Sequence, residues 1–305
     1  MASTVKYIMC CSKEVKFRIK NRLIHVMETE DPSSSTKKPV RLKMVKEYSR
    51  CAAAQNLLSR FKVRGFQELL TTIEYLLSVV TNASEHWELV YDFVADRLRA
   101  VRQDITIGRM DDLKQMQLLE LMLPFYFESI ARSEETNCKT YDRKLHMTQL
   151  EECTSKWKIL HDKFGSHNNT IICCYLLHNC AKSWSLQLCY KWKEDLPVDL
   201  WNDVASLLLD FKMRNAVGFF RVWKRLDSAT MRSAIFPMLA KLRRDFIIAV
   251  SLSYRGRNLT LPVTVLGDWI QITPRNDLLI LLNEHLILTE EPNEEICFFG
   301  SRLRS

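Results

Sequence analysis

From Phe66 to Tyr254 apolar residues return every three or four positions with polar residues between them, a spacing that admits little besides α-helices stacked on one another. The spacing predicts helices over 66–81, 85–106, 111–133, 140–163, 168–178, 181–192, 197–213, 215–226 and 229–254. Breaks fall at Asn82-Ala83-Ser84, Gly108, Gly165-Ser166, Glu194 to Pro197, Asn215 and Asp227. Links this short make neighbouring helices antiparallel, and such hairpins are expected to stack into a curved right-handed array. No repeat of fixed period accompanies them, so the array is a degenerate one. Pro124 and Pro237 lie inside helical stretches and are expected to kink or divide them.

Composition narrows the choice further. Seven glycines in 305 residues are too few for folds that need glycine at positive-φ turns or where backbone approaches a phosphate, and GxGxxG, GxxxxGK[ST] and GxSxG are all absent. Nucleophilic catalysis needs a Ser, Cys or Thr beside a base on a loop, and no loop offers that neighbourhood. Cys174, His178 and Cys180 come nearest to a metal set, but position 180 points away from the other two and there is no fourth ligand, so they read as packing residues. The expectation is a non-enzyme with no cofactor, metal or small-molecule substrate. The start of the chain has no sustained apolar run and no stretch is long enough to cross a bilayer, so the ten cysteines are expected to be reduced thiols in the cytosol or nucleus.

Charge is concentrated at the front. Residues 1–64 hold 15 Lys/Arg against 5 Asp/Glu, more than the whole formal net charge of +8. Within them, 12–28 carries Val15, Ile19, Leu23 and Val26 at helical spacing with lysines and arginines around them, which predicts one basic amphipathic helix capped by Ser12 and closing before Asp31-Pro32. Residues 33–39 read as a flexible linker. Lys13, Lys16, Arg18, Lys20, Arg22, Lys37 and Lys38 are therefore candidates for binding RNA or an acidic protein. Arg243, Arg244 and Arg257, with Arg232, Lys241 and Arg255, form a second candidate basic stripe.

In Asp92 to Thr106, Val90, Val94, Leu98, Val101 and Ile105 define one apolar face, while Asp92, Asp96, Arg99 and Gln103 lie opposite. Arg97 and Asp104 flank the apolar side, where charges are usually paired, and they are expected to pair with each other as architecture.

The tail changes character. Leu259 to Pro262 leads into an apolar helix through Ile270, Thr273-Pro274 caps and starts a second, and Leu286 to Thr289 with Glu295 to Phe299 reads as a β-hairpin. Helix, helix and hairpin predict a winged helix. A nucleic-acid reader needs cations there; instead Arg275 stands against Asp277, Glu284, Glu290, Glu291, Glu294 and Glu295, so the module is expected to dock protein. The division is a basic arm over 1–64, a helical array over 65–255 and a winged-helix module over 256–305.

Three segments also carry a resemblance. Phe93 to Asp104 (FVADRLRAVRQD) resembles the signature helix of the SAC/GANP family (germinal-centre-associated nuclear protein and the suppressor-of-actin mRNA-export scaffolds). Val45 to Arg50, followed by Ala52 to Ala54, resembles that family's VKEYSRSAA-type segment, and Leu261-Pro262 its late LPL-type element. On these matches Tyr48, Arg50, Asp96, Arg97, Arg102 and Asp104 are the family-motif residues, with structural roles. The resemblance spans about Met9 to Phe299, and the lack of long flanking extensions is similar to the family's short, centrosome- and spindle-associated type. It implies an α-helical, TPR-like or PCI-like array ending in a winged helix, without catalytic residues. In the export scaffolds this region holds a PCI-type subunit and a small acidic protein.

Two readings follow. One is a scaffold that supports centrosome duplication, spindle assembly and mitotic progression through protein partners, in the cytoplasm and at the centrosome and spindle. The other is an mRNA-export adaptor at the nuclear pore that binds RNA with its basic front and a PCI-type partner with its tail. The absence of phenylalanine-glycine repeats favours the first.

Overall fold

In a computed structural model the described residues are 8–31, 38–49, 62–254, 256, 259–272, 275–284, 289–290 and 295–297. The described chain is all-α apart from three short strands, and it forms two compact units, Met1–Ser166 and His167–Ser305.

In the first unit α1 (Ser12–Lys20) precedes α2 (Phe66–Asn82), α3 (Trp87–Ile107), α4 (Asp112–Glu135) and α5 (Arg143–Phe164). Asp111 and Asp142 open α4 and α5 by accepting the first free backbone N–H groups, the preferred role of a carboxylate at a helix start. Gly165 ends α5 at φ 71, in the left-handed region that costs glycine nothing. The apolar face read from the sequence of α3 is buried throughout, and it packs against Leu69, Ile73 and Leu76 of α2 and the Leu118–Ile130 stretch of α4. Trp157 of α5 is fully buried and its indole N–H donates to Glu120 at 3.0 Å.

The second unit contains α6 (Asn169–His178), α7 (Ser185–Lys191), α8 (Val198–Met213), α9 (Ala216–Arg225) and α10 (Ala229–Ser253). Every residue from Ile171 to Leu177 is buried, so α6 is apolar all round; α10, α8 and α7 pack about it. There follow β1 (Thr260–Pro262), α11 (Val263–Ile270), α12 (Arg275–Glu284), β2 (Thr289–Glu290) and β3 (Glu295–Cys297), the strands forming an antiparallel sheet in the order β1-β3-β2. Of the expected hairpin, Thr289 and Glu295 to Cys297 are in strands, Glu290 is in a strand and not in the turn, and Leu286 to Leu288, Phe298 and Phe299 lie outside the described residues. The pairing of Leu261 with Ile296, which ties β1 to the hairpin, was not legible in the sequence.

Nine helical stretches expected between 66 and 254 are present with ends displaced by at most a few residues. Pro124 and Pro237 do not divide their helices, since α4 and α10 run through them. One expectation needs correction: 12–28 is not one amphipathic helix. α1 stops at Lys20, Arg22 turns the chain at φ 58, and Val26–Glu28 forms a separate 3-10 turn capped by His25. Half of the expected apolar face is turned out, with Ile19 43% and Leu23 48% exposed, while Val15 is buried beside two charged residues, Glu14 and Arg18. The reason is electrostatic: a continuous helix would hold Arg18 and Glu28 about 15 Å apart along its axis, whereas the reversal brings them into contact in the interior.

Candidate functional site

The segment from Met44 to Ser49 has no regular structure of its own, and it lies along α3 by hydrogen-bonding to that helix's polar side chains. The Tyr48 N–H donates to Asp96 at 3.2 Å, Gln103 donates its amide to the Ser49 carbonyl at 2.9 Å and accepts the Ser49 N–H at 3.4 Å, and the Arg99 guanidinium sits 4.1 Å above the Tyr48 ring. Beneath this strap are two ionic clusters.

In the first, Arg97 is 3% exposed, lies 3.1 Å from Glu47 and 3.4 Å from Glu28, and pairs also with Asp96. Glu28 is completely buried; it pairs with Arg18 through both oxygens and accepts the backbone N–H groups of Val45 at 3.1 Å and His25 at 3.2 Å. Arg18 also reaches Glu47 at 3.2 Å and donates to the carbonyls of Leu23 and Val45, both at 3.0 Å. In the second cluster Asp104, also completely buried, takes Lys46 and Arg64, each at 2.6 Å, with the Arg64 N–H at 3.4 Å. Lys46 donates further to the Lys62 carbonyl at 3.2 Å, and Arg64 to the Met9 carbonyl at 3.4 Å.

The expected pair of Arg97 with Asp104 does not form. Seven residues along one helix separate two side chains by about 10 Å, and each finds a partner on the arm instead. Both nevertheless sit where the sequence placed them, beside the apolar face. Lys46 and Glu47 were visible within the VKEYSR-like segment, but Glu28, Arg64 and Glu14 carried no sequence signal as partners.

Glu14 adds a strained member. It accepts the Glu47 N–H at 3.0 Å through one oxygen while the other, buried, has no hydrogen-bond partner. Burial raises its pKa above the usual carboxylate value, opposed by the Glu47 N–H and by Arg18, Lys46 and Arg64. An acid whose folded pKa is raised contributes its stability below the unfolded pKa near 4.5 and loses it as pH rises through the folded value. Glu14→Gln is therefore expected to raise the melting temperature at pH 7.5 and to leave it unchanged near pH 4; an equal effect at both pH values would show that ionisation is not the cause.

Of the candidate binding residues, Lys13, Lys16, Lys20, Arg22 and Lys38 are exposed, whereas Arg18 is 1% exposed and paired inside, which removes it from any binding face. Arg243 is also occupied: it donates to the carbonyls of Ile270 at 3.1 Å and Gln271 at 2.9 Å, satisfying the end of α11. Burial lowers its pKa. Arg244 is exposed, and Arg102 pairs with Glu152 of α5. Arg50, Lys37 and Arg257 lie outside the described residues, as do Arg255, Thr273 and Pro274. Asp277 of α12 is exposed.

Among the described residues no three His, Cys, Asp or Glu side chains converge as a metal site, and no helix is long and apolar enough to cross a membrane. A hydroxyl does meet an imidazole at Tyr91 and His146, 3.0 Å apart, but both are buried among aromatic rings and the other ring nitrogen lies 2.8 Å from the Tyr126 carbonyl. That contact satisfies polar atoms within a core.

Fold and site together define an all-α protein in which an extended arm is fastened along a long helix by buried ion pairs. The chain belongs to the SAC3/GANP family, whose model matches residues 9–291. It is 30% identical over 300 residues to SAC3 family protein B of Arabidopsis thaliana, covering 90% of this chain, and 26% identical over 159 residues to Protein xmas of Drosophila melanogaster, covering 50%. The matched regions amount to 17% and 8% of those proteins' lengths.

Proposed function

We propose that this protein is a non-catalytic scaffold that assembles other proteins on its helices, in support of centrosome duplication, spindle assembly and mitotic progression, at the centrosome and spindle and in the cytoplasm. The observation that carries the scaffold reading is the use made of three of the family-motif charges: Asp96, Arg97 and Asp104 hold the arm to α3, and among the described residues none of the three lines a hollow. Charges committed to internal pairing build a platform, and chemistry would need them poised at a cleft. The succession β1, α11, α12, β2, β3 supports a winged-helix module at the end of a PCI-like array, the type of surface on which a PCI-type subunit or a small acidic protein would dock.

A second reading, an adaptor for mRNA export that binds RNA, in the nucleus, is favoured by one feature: Lys13, Lys16, Lys20 and Arg22 are all exposed on or just after α1. Proximity labelling in dividing cells, with and without RNase, separates the two. Centrosomal and spindle proteins that persist after RNase are expected; a set dominated by RNase-sensitive ribonucleoproteins would replace the first reading by the second.

Removing residues 1–38 would not test RNA binding cleanly, because it deletes Arg18 and Glu28 from the buried cluster. Substituting Lys13, Lys16, Lys20 and Arg22 together by Gln keeps the fold. If these groups contact a single-stranded RNA backbone, the slope of log affinity against log salt should fall in magnitude by about 3; an unchanged slope would exclude this face.

A further inference from the structure

A hollow of about 420 Å³ lies in the first unit where the C-terminal part of α3 faces α5. Arg102 and Arg109 line it from one side and Lys156 from the other, and Glu152 is the one carboxylate in its wall. Arg109 is exposed and has no carboxylate partner among the described residues. Lys156 has a distant one, Asp112 at 3.8 Å, which Lys163 holds more closely at 2.9 Å. Arg102 is held by Glu152, whose side chain is 59% exposed and one helical turn from Lys156. Three of the last four carbonyls of α3 are already taken: Asp104 accepts from Gly108 at 2.8 Å, Ile105 from Met110 at 3.4 Å and Thr106 from Arg109 at 3.4 Å.

We infer that this hollow is a phosphoryl-binding site in which Arg102, Arg109 and Lys156 hold a phosphate group and the Glu152 carboxylate occupies the anion's place when the site is empty. Three cations against one carboxylate leave positive charge that an incoming monoanion would answer poorly. A phosphate carries up to two charges and three acceptor oxygens, enough to engage two guanidinium forks and an ammonium at once. The same chemistry is offered by a compact polyphosphorylated small molecule and by the backbone of RNA.

Arg109 allows binding to be separated from folding. It holds φ 44, a left-handed conformation in which glycine is at no disadvantage. Arg109→Gly should therefore keep or raise the melting temperature while removing one of the three cations. The full-length chain would be titrated calorimetrically, at matched ionic strength, with myo-inositol hexakisphosphate and separately with a ten-nucleotide oligouridylate. Saturable one-to-one binding is expected, weakened about tenfold by Arg109→Gly and strengthened severalfold by Glu152→Gln, which removes the internal competitor. The combined glutamine substitutions at Lys13, Lys16, Lys20 and Arg22 should leave it unaltered. This pattern with the inositol phosphate alone assigns the site to a free ligand, and the same pattern with the oligonucleotide assigns it to an RNA backbone. No binding of either probe, or binding indifferent to both Arg109→Gly and Glu152→Gln, overturns the inference.

Discussion

Asp104→Asn is expected to lower the free energy of unfolding by about 3–5 kcal/mol, because it leaves Lys46 and Arg64 charged in the interior without the carboxylate that pairs with both. Both cations are almost wholly buried and neither can turn to solvent without pulling the strap or the start of α2 with it. For a unit of this size the melting temperature should fall by about 10 °C. Urea denaturation of the full chain gives the energy directly; a loss below about 1 kcal/mol would mean that water reaches the pair. The Asn substitution keeps the shape, so the deficit reports charge and not a cavity. Combining it with Arg97→Ala tests the partner assignment, since the two residues share no partner and their effects should add to within about 0.5 kcal/mol. A larger coupling would restore the direct Arg97–Asp104 contact that the sequence suggested.

The other large effect belongs to Glu28. Its carboxylate faces Arg18 and Arg97 together and caps two backbone N–H groups, so Glu28→Gln is expected to cost about 3–5 kcal/mol as well. The two losses should differ in where the structure opens. Without Asp104 the anchorage of Lys46 and Arg64 fails; without Glu28 the reversal between α1 and the 3-10 turn loses its reason, and hydrogen exchange should rise first at Leu23, His25 and Val45. Faster exchange confined to α4 and α5 would contradict this. Arg18 remains tethered to Glu47 at 3.2 Å in such a variant, which makes partial opening more reasonable than global unfolding.

The helices of 66–254 were legible because their information is local. Spacing of apolar residues and caps such as Asp111, Asn168, Asn215 and Ser228 act within a turn or two of the chain. The same rule misled at 12–28, where Ile19 and Leu23 mimic an apolar stripe yet remain exposed. There the decisive interaction joins residues ten positions apart through a chain reversal, a distance at which periodicity carries no information. The site was half legible. Arg97 and Asp104 were singled out because charge beside a core face needs a partner, and Asp96 and Tyr48 because of the family-like segments they belong to. Arg18 and Arg243 were misassigned as surface cations because composition counts charge without knowing which side chains the fold encloses.

By itself, then, the sequence determined that 66–254 is helical, where those helices begin and end to within a few residues, and that Arg97 and Asp104 would have to be answered indoors, since each of these follows from neighbours along the backbone. Tertiary structure alone decided who answers them: Lys46 reaches Asp104 across 58 residues and Glu28 reaches Arg97 across 69. Such pairings depend on low-dielectric contacts that exist only once distant segments are packed together, and in an unfolded chain water would satisfy every one of these groups equally well.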